Sequence, residues 1–294
     1  MNLKVENVYT RHAAKEMTRK YFWKLLGMSA VAYGIPYGLM MLVPTVMMPI
    51  ASLHNLYDLV MIALLIAVSL LSCGLTLGLM HGMIELCRGK EDVTVGTVFH
   101  RMNLTFKGLG LGLWVGLKSL LWMLPGYAVM IAGIILTASM SNTASPEDAA
   151  AISALAMFAG MILIFALGIP AAMRYLLSTY ILADKPNTGV FACVRQSKTM
   201  MKGHKWQAFK LVIPVFLIMY VVMMVFSVAM VAATNLLAGT AAAATILSVV
   251  MVVVTMAISV YYMIRMSMCY SIFYLKREAE QNPAEEAAEF VAAE

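Results

Sequence analysis

The chain reads as an all-α, polytopic membrane helix bundle of six transmembrane helices, with basic amphipathic interfacial helices preceding each hairpin. Three observations lead there. Apolar residues make up 62% of the 294 residues and charged ones 12%, too little polar surface to cover a soluble core of that size. Six apolar stretches each exceed the ~20 helical residues that span ~30 Å of hydrocarbon. Finally, all of the 21 Lys and Arg residues except Lys118 fall on one side of the resulting serpentine.

The stretches cover residues 25–50, 59–84, 108–139, 149–173 (apolar on to 183), 211–233 and 241–264 (apolar on to 275). Between residues 211 and 264 no side chain is charged, so that run folds into two spans at the Thr234-Asn235…Gly239-Thr240 turn. Barrel strands are excluded, because the runs do not alternate and far exceed ~10 residues.

The first span is preceded by residues 1–24, a basic amphipathic anchor. There Tyr21-Phe22-Trp23 beside Arg19, Lys20 and Lys24 supplies an interfacial aromatic anchor with attraction for anionic headgroups. No cleavable signal is visible before Leu25. Basic segments recur at 93–107 and 188–210, and the spans recur with a period of about 90 residues. An internal threefold repeat produces such a period; so do hairpins of standard length. The opposite connections carry only Asp58, Glu147 and Asp148. The positive-inside rule therefore predicts cytoplasmic termini, and the basic balance needs no nucleic-acid partner. Residues 276–294, acidic and Ala-rich with Pro283, are expected to form a disordered cytoplasmic tail.

Gly74, Gly78 and Gly82 in span two, and Gly108, Gly112 and Gly116 in span three, repeat every fourth residue. That spacing clears one helix face for close approach of a neighbour within the chain or of a second copy. Pro36, Pro44, Pro125, Pro170 and Pro214 each remove a helical donor and predict kinks. The fourth stretch would be about 52 Å as one straight helix, so it must tilt or break at Pro170.

Ionisable residues near or inside the spans are the candidate ligand-binding groups: Lys118, Arg174, Arg265, His81 and Glu85. Glu85 is expected to pair with Arg174 or Arg265. Should the two arginines converge, the inner cavity is cationic and suits an anionic headgroup or carboxylate. Snorkelling to the interface is the plainer account of both. His81 and Glu85 lie one turn apart but lack an evident third metal ligand, so no metal or cofactor is expected. The 28 methionines scatter along the spans as flexible packing. The four cysteines show no CxxC spacing and predict no disulfide framework. No HExxH, GxSxG or phosphate-binding loop occurs, which argues against an enzyme.

One stretch carries a resemblance. Arg174-Tyr175…Tyr180-Ile181-Leu182-Ala183-Asp184-Lys185-Pro186 is followed by Ser197…Met200-Met201-Lys202-Gly203-His204-Lys205…Phe209. Together with Gly78…Arg88-Gly89…Phe99, it resembles the bacterial integral-membrane family catalogued as domain of unknown function 975. Leu176-Leu177-Ser178 departs from that family's usual run. The resemblance implies a six-span bundle in a bacterial plasma membrane, multi-pass, and implies no activity. It marks Asp184, Pro186, Ser197, Gly203, His204 and Lys205 as an interfacial motif. Read physically, that motif is a structural elbow or a phosphate-binding turn at headgroup level.

The function these features support is a non-enzymatic membrane-embedded binding or interaction protein. It would recognise anionic membrane lipid or a membrane-protein partner at its cytoplasmic face. The alternative is a transporter or channel subunit for a small or amphiphilic solute, with Arg174, Arg265 and Glu85 along its path. A continuous polar cavity across the midplane would favour transport; charge confined to the inner rim would favour binding.

Overall fold

The computed structural model describes residues 3–47, 54–140, 145–236 and 241–281. Among them there is no strand, and six helices are long and apolar enough to cross a membrane. Ten α-helices follow in order: α1 Leu3–Lys20, α2 Phe22–Ser29, α3 Ile35–Met47, α4 His54–Cys87, α5 Thr105–Met140, α6 Pro146–Tyr175, α7 Ser178–Asp184, α8 Val190–Met200, α9 Lys205–Leu236 and α10 Ala241–Gln281. A π-helical turn, Ala30–Gly34, joins α2 to α3, and a 3₁₀ helix, Val95–Leu104, leads into α5. Span one is therefore α2 to α3, span four is α6 with α7, and the others are single helices. The predicted turn centre at 237–240 and the tail from 282 onward lie outside the described residues.

Local chemistry sets the ends. Ser145 caps α6 by accepting from the Asp148 amide at 3.2 Å, with Pro146 at the first helical position and two carboxylates in the first turn. Gly89 ends the α4 turn at φ +85°, and Gly203 turns the chain into α9 at φ +86°; both sit where a side chain is disfavoured.

Span four does break, but not at Pro170. Helix α6 runs through that proline, and the chain turns at Leu176-Leu177 instead. A proline costs one hydrogen bond and a kink, which tertiary packing absorbs here. The short α7 then lies in the core, with Leu177, Ile181, Leu182 and Ala183 all buried.

The core occupies one end of the bundle. Leu25 and Met28 of α2, Leu75 to Leu86 of α4, α7, and Met268 to Tyr274 of α10 form one buried cluster there. Toward the other end the helices keep Leu117, Ile135, Leu155, Phe165 and Val225 exposed. A soluble monomer does not tolerate such a girdle; a hydrocarbon solvent covers it at no cost.

The span-two glycine ladder packs within the chain. A Cβ at Gly78 would collide with the Val98 carbonyl, and one at Gly74 with Thr105 and Met102, so α4 seats the 3₁₀ helix directly on its bare face. Of the span-three ladder only Gly108 is used, against Leu77; Gly112 and Gly116 face open space. Close contact between α5 and α6 comes instead from Gly126 against Gly160 and Gly133 against Ala156.

Two expectations need correction. Residues 276–281 are not tail: they complete α10, and Arg277 is only 4% exposed. The basic segment 1–24 is more than an interfacial anchor, because α1 buries Glu6, Asn7, Thr10, Ala14 and Thr18 against the bundle. That face is largely polar, so it needs hydrogen-bonding partners: Thr10 and Thr18 donate to α1's own carbonyls, while Asn7 and Glu6 find theirs on α9 and α10.

Candidate functional site

Spans two, four and six end together, and their last turns carry an ion-pair network. Arg88, just past α4, meets Asp184 at the end of α7 through two parallel bonds, Nη1 to Oδ1 at 2.6 Å and Nη2 to Oδ2 at 2.8 Å. This fork is the strongest geometry available to a guanidinium. Arg88 also reaches Glu278 at 3.3 Å and Glu85 at 3.5 Å, while the Tyr274 hydroxyl donates to Asp184 at 2.9 Å. Lys185 pairs with Glu278 at 2.7 Å and Lys90 with Glu85 at 2.5 Å, so three cations balance three carboxylates. Burial works against the charge on Arg88, but the Asp184 bonds overrule it and hold the guanidinium above its ordinary pKa.

A second network fastens α1. Arg277 donates to Glu6 at 3.1 Å and to Gln207 at 2.8 Å, and Lys276 pairs with Glu6 at 2.6 Å. His204 bridges Gln207 at 3.1 Å and Arg277 at 3.4 Å, and Arg277 meets Glu280 at 2.5 Å. Burial pushes the Glu6 carboxyl up, yet the bonds from Lys276 and Gln207 outweigh it and hold the group below its ordinary value.

The third feature is a cavity of about 510 Å³ between α6 and α9, walled by Phe165, Ile169, Pro170, Trp206 and Phe209, with Lys205 at its mouth. Arg174 and Lys198 lie close enough to act electrostatically on Lys205. Arg174 stacks over the Trp122 ring at 4.5 Å, and Ser197 donates to the Arg174 carbonyl at 3.0 Å, tying α8 to the end of α6. Among the described residues, no carboxylate lies within ion-pair distance of Arg174, Lys198, Lys205 or Lys210. The cluster is cationic and has no carboxylate partner among the described residues, and its Lys205 lines the aromatic and aliphatic slot.

The candidate residues sort as follows. Glu85 does not pair with Arg174 or Arg265; it belongs to Arg88 and Lys90, which follow it on the same chain turn and reach it first. Arg265 is half-buried on α10 and, like Arg11 of α1, lies close enough to Cys269 to act on it electrostatically. Lys118 rests over the rings of Trp114 and Tyr175 at 4.9 and 5.9 Å, which supply the attraction that water would otherwise give. Pro186 accepts from Lys107 at 3.0 Å through its carbonyl. Gly203 provides the turn, His204 joins the α1 clasp, and Lys205 faces the cavity.

His81 acquires the third partner the sequence did not reveal. His81, Glu85 and Asp184 offer ligand atoms all within 4.8 Å of one another, a donor set that suits a divalent cation. The guanidinium of Arg88 already binds two of the three, and Arg101 lies 3.4 Å from His81 Nδ1. Fixed cations therefore do there what a metal would do. Sequence reasoning missed Arg88, Tyr274, Glu278, Glu6, Gln207 and Arg277 as members. The one available signal was the Arg88-Gly89 pair at a helix end; the basic-acidic run after Leu275 was read as tail.

No curated protein and no solved structure matches the chain. A family model described as "Protein of unknown function (DUF975)" matches residues 13–213, a region that holds the Arg88–Asp184 fork and every residue of the interfacial motif. The chain belongs to that family.

Proposed function

We propose that the protein is a non-enzymatic, membrane-embedded binding protein that recognises anionic lipid at its cationic face. The observation that carries this reading is Lys205 on the wall of the 510 Å³ slot, with Arg174 and Lys198 near enough to act on it and no carboxylate in ion-pair reach among the described residues. A phosphodiester headgroup would take the charges, and an acyl chain would lie along Phe165, Ile169, Trp206 and Phe209. Trp206 stacks on Phe209 at 5.0 Å, giving the slot a flat aromatic wall at interfacial depth. The face lies in the cytoplasm of a bacterial plasma membrane in this reading, following the distribution of basic residues.

The transport alternative is less well supported. It needs Arg174, Arg265 and Glu85 along one path, and Glu85 is engaged by Arg88 and Lys90.

Native mass spectrometry of the chain from mixed phosphatidylglycerol and phosphatidylcholine micelles tests the proposal. Wild-type protein is expected to retain phosphatidylglycerol. An Arg174→Ala, Lys205→Ala double variant should lose it by about ten-fold or more, since two charge-assisted contacts disappear. Equal retention by both proteins would overturn the assignment.

A further inference from the structure

A different cavity lies between span one, α4 and α10. It is an open groove of about 850 Å³ whose rim carries the exposed Tyr37, Leu65 and Met256, and its described wall carries no charged side chain. Hydroxyls line it instead: Ser29, Tyr33, Ser69, Ser72, Thr255 and Ser259. Below it the bundle closes, with Leu79, Met83 and Ile264 packed beneath Ser29 and Tyr33.

Ser29 is the informative residue. Hydroxyls within these helices ordinarily donate to a carbonyl one turn back: Ser69 to Leu65 at 2.7 Å, Ser259 to Thr255 at 2.8 Å, Ser271 to Ser267 at 3.0 Å. Ser29 is 3% exposed, yet among the described residues its Oγ is the one buried hydroxyl without a partner. Leaving such a group unsatisfied costs about 1–3 kcal/mol, so it calls for an occupant. The π-helical turn Ala30–Gly34 begins immediately after it, an irregularity frequent at functional sites.

We infer that this cavity is a binding site for an uncharged amphiphile with a hydroxyl headgroup and a hydrocarbon body. The wall dictates that chemistry. Ser69 and Ser259 have spent their protons on helix carbonyls and offer lone pairs, whereas Ser29 still has a proton to give. A hydroxyl accepts from the one and donates to the others. A carboxylate or phosphate would arrive with a charge that nothing on the wall neutralises. An alkane would leave Ser29 unpaired. The volume falls within the range of sites for small ligands. This site is separate from the cationic slot, and either assignment can fail alone.

Photolabelling of the full chain in phosphatidylcholine nanodiscs, using a diazirine-bearing hexadecanol, provides the test. Adducts are expected on residues 29–40, 65–73 and 255–260, competed by hexadecanol but not by hexadecane. Ser29→Ala should weaken labelling about five-fold, the worth of one neutral hydrogen bond. At Gly34 a Cβ would meet nothing within 4 Å, so Gly34→Leu can fill the cavity without a backbone clash. That variant should lose labelling about ten-fold while keeping the wild-type unfolding temperature. Adducts spread evenly over lipid-facing positions such as 117–136, or equal competition by hexadecane, or wild-type labelling of both variants, would each overturn the inference.

Discussion

Arg88 and Asp184, 96 residues apart, face each other through two parallel hydrogen bonds of 2.6 and 2.8 Å. The pair joins the end of span two to the end of span four, and Glu278 and Tyr274 add span six through the same two side chains. The Asp184 side chain is 5% exposed and that of Arg88 25%, so the carboxylate is withdrawn from water and loss of Arg88 leaves a buried charge without its main partner.

Arg88→Ala or Asp184→Ala is expected to destabilise the bundle by about 3 kcal/mol, read as the detergent-solubilised unfolding transition. Arg88→Lys should recover only part of that loss, because an ammonium cannot form the two-pronged contact. The double Ala variant should cost less than the two single losses added together.

Gly78→Ala forces a methyl into the Val98 carbonyl, and backbone on both sides cannot yield. It should cost about 2 kcal/mol or more and detach the 3₁₀ helix from α4. Gly112→Ala, where a Cβ meets nothing, should stay within about 0.5 kcal/mol of wild type. A uniform effect at both ladders would contradict the packing described.

The α1 clasp should respond to acid. Glu6 has a folded-state value below its ordinary 4.5, so its stabilising contribution is present above pH 4.5 and disappears as pH falls through the folded value. Protection factors of the α1 amides, which correct for the intrinsic pH dependence of exchange, should therefore be high at pH 5 and above and fall on acidification below 4.5. In Glu6→Gln that acid step should vanish, with Lys276, Arg277 and His204 still in place.

Cys193 and Cys269 are fully buried and Cys73 and Cys87 half-buried. Burial also pushes the Cys193 thiol above its ordinary value. Maleimide should leave Cys193 and Cys269 unmodified until the protein is denatured, as followed by intact-mass spectrometry. Rapid native labelling of Cys193 would show that α8 does not pack as described.

Much of the fold was legible in the chain because membrane insertion is decided locally. Continuous apolar runs, their lengths and the flanking basic residues suffice to define six spans, and all six appear. The ladder Gly74, Gly78, Gly82 likewise announced a close approach, although not that a 3₁₀ helix would fill it. The candidate arginines were found, but their partners were not.

Partner choice is where tertiary structure took over. On the basic side every span ends among several charges, so composition permits many pairings, and only the arrangement of helices gave Asp184 to Arg88 and withheld Glu85 from Arg174. Residues 276–281 have the composition of a disordered tail; burial of Arg277 against Glu6 and Gln207 made them helix. Ser29 looked like any serine in an apolar run until packing removed its partners. Insertion energy is a sum over neighbouring residues and can be read along the chain, whereas pairing and satisfaction depend on distances between segments that the fold alone creates.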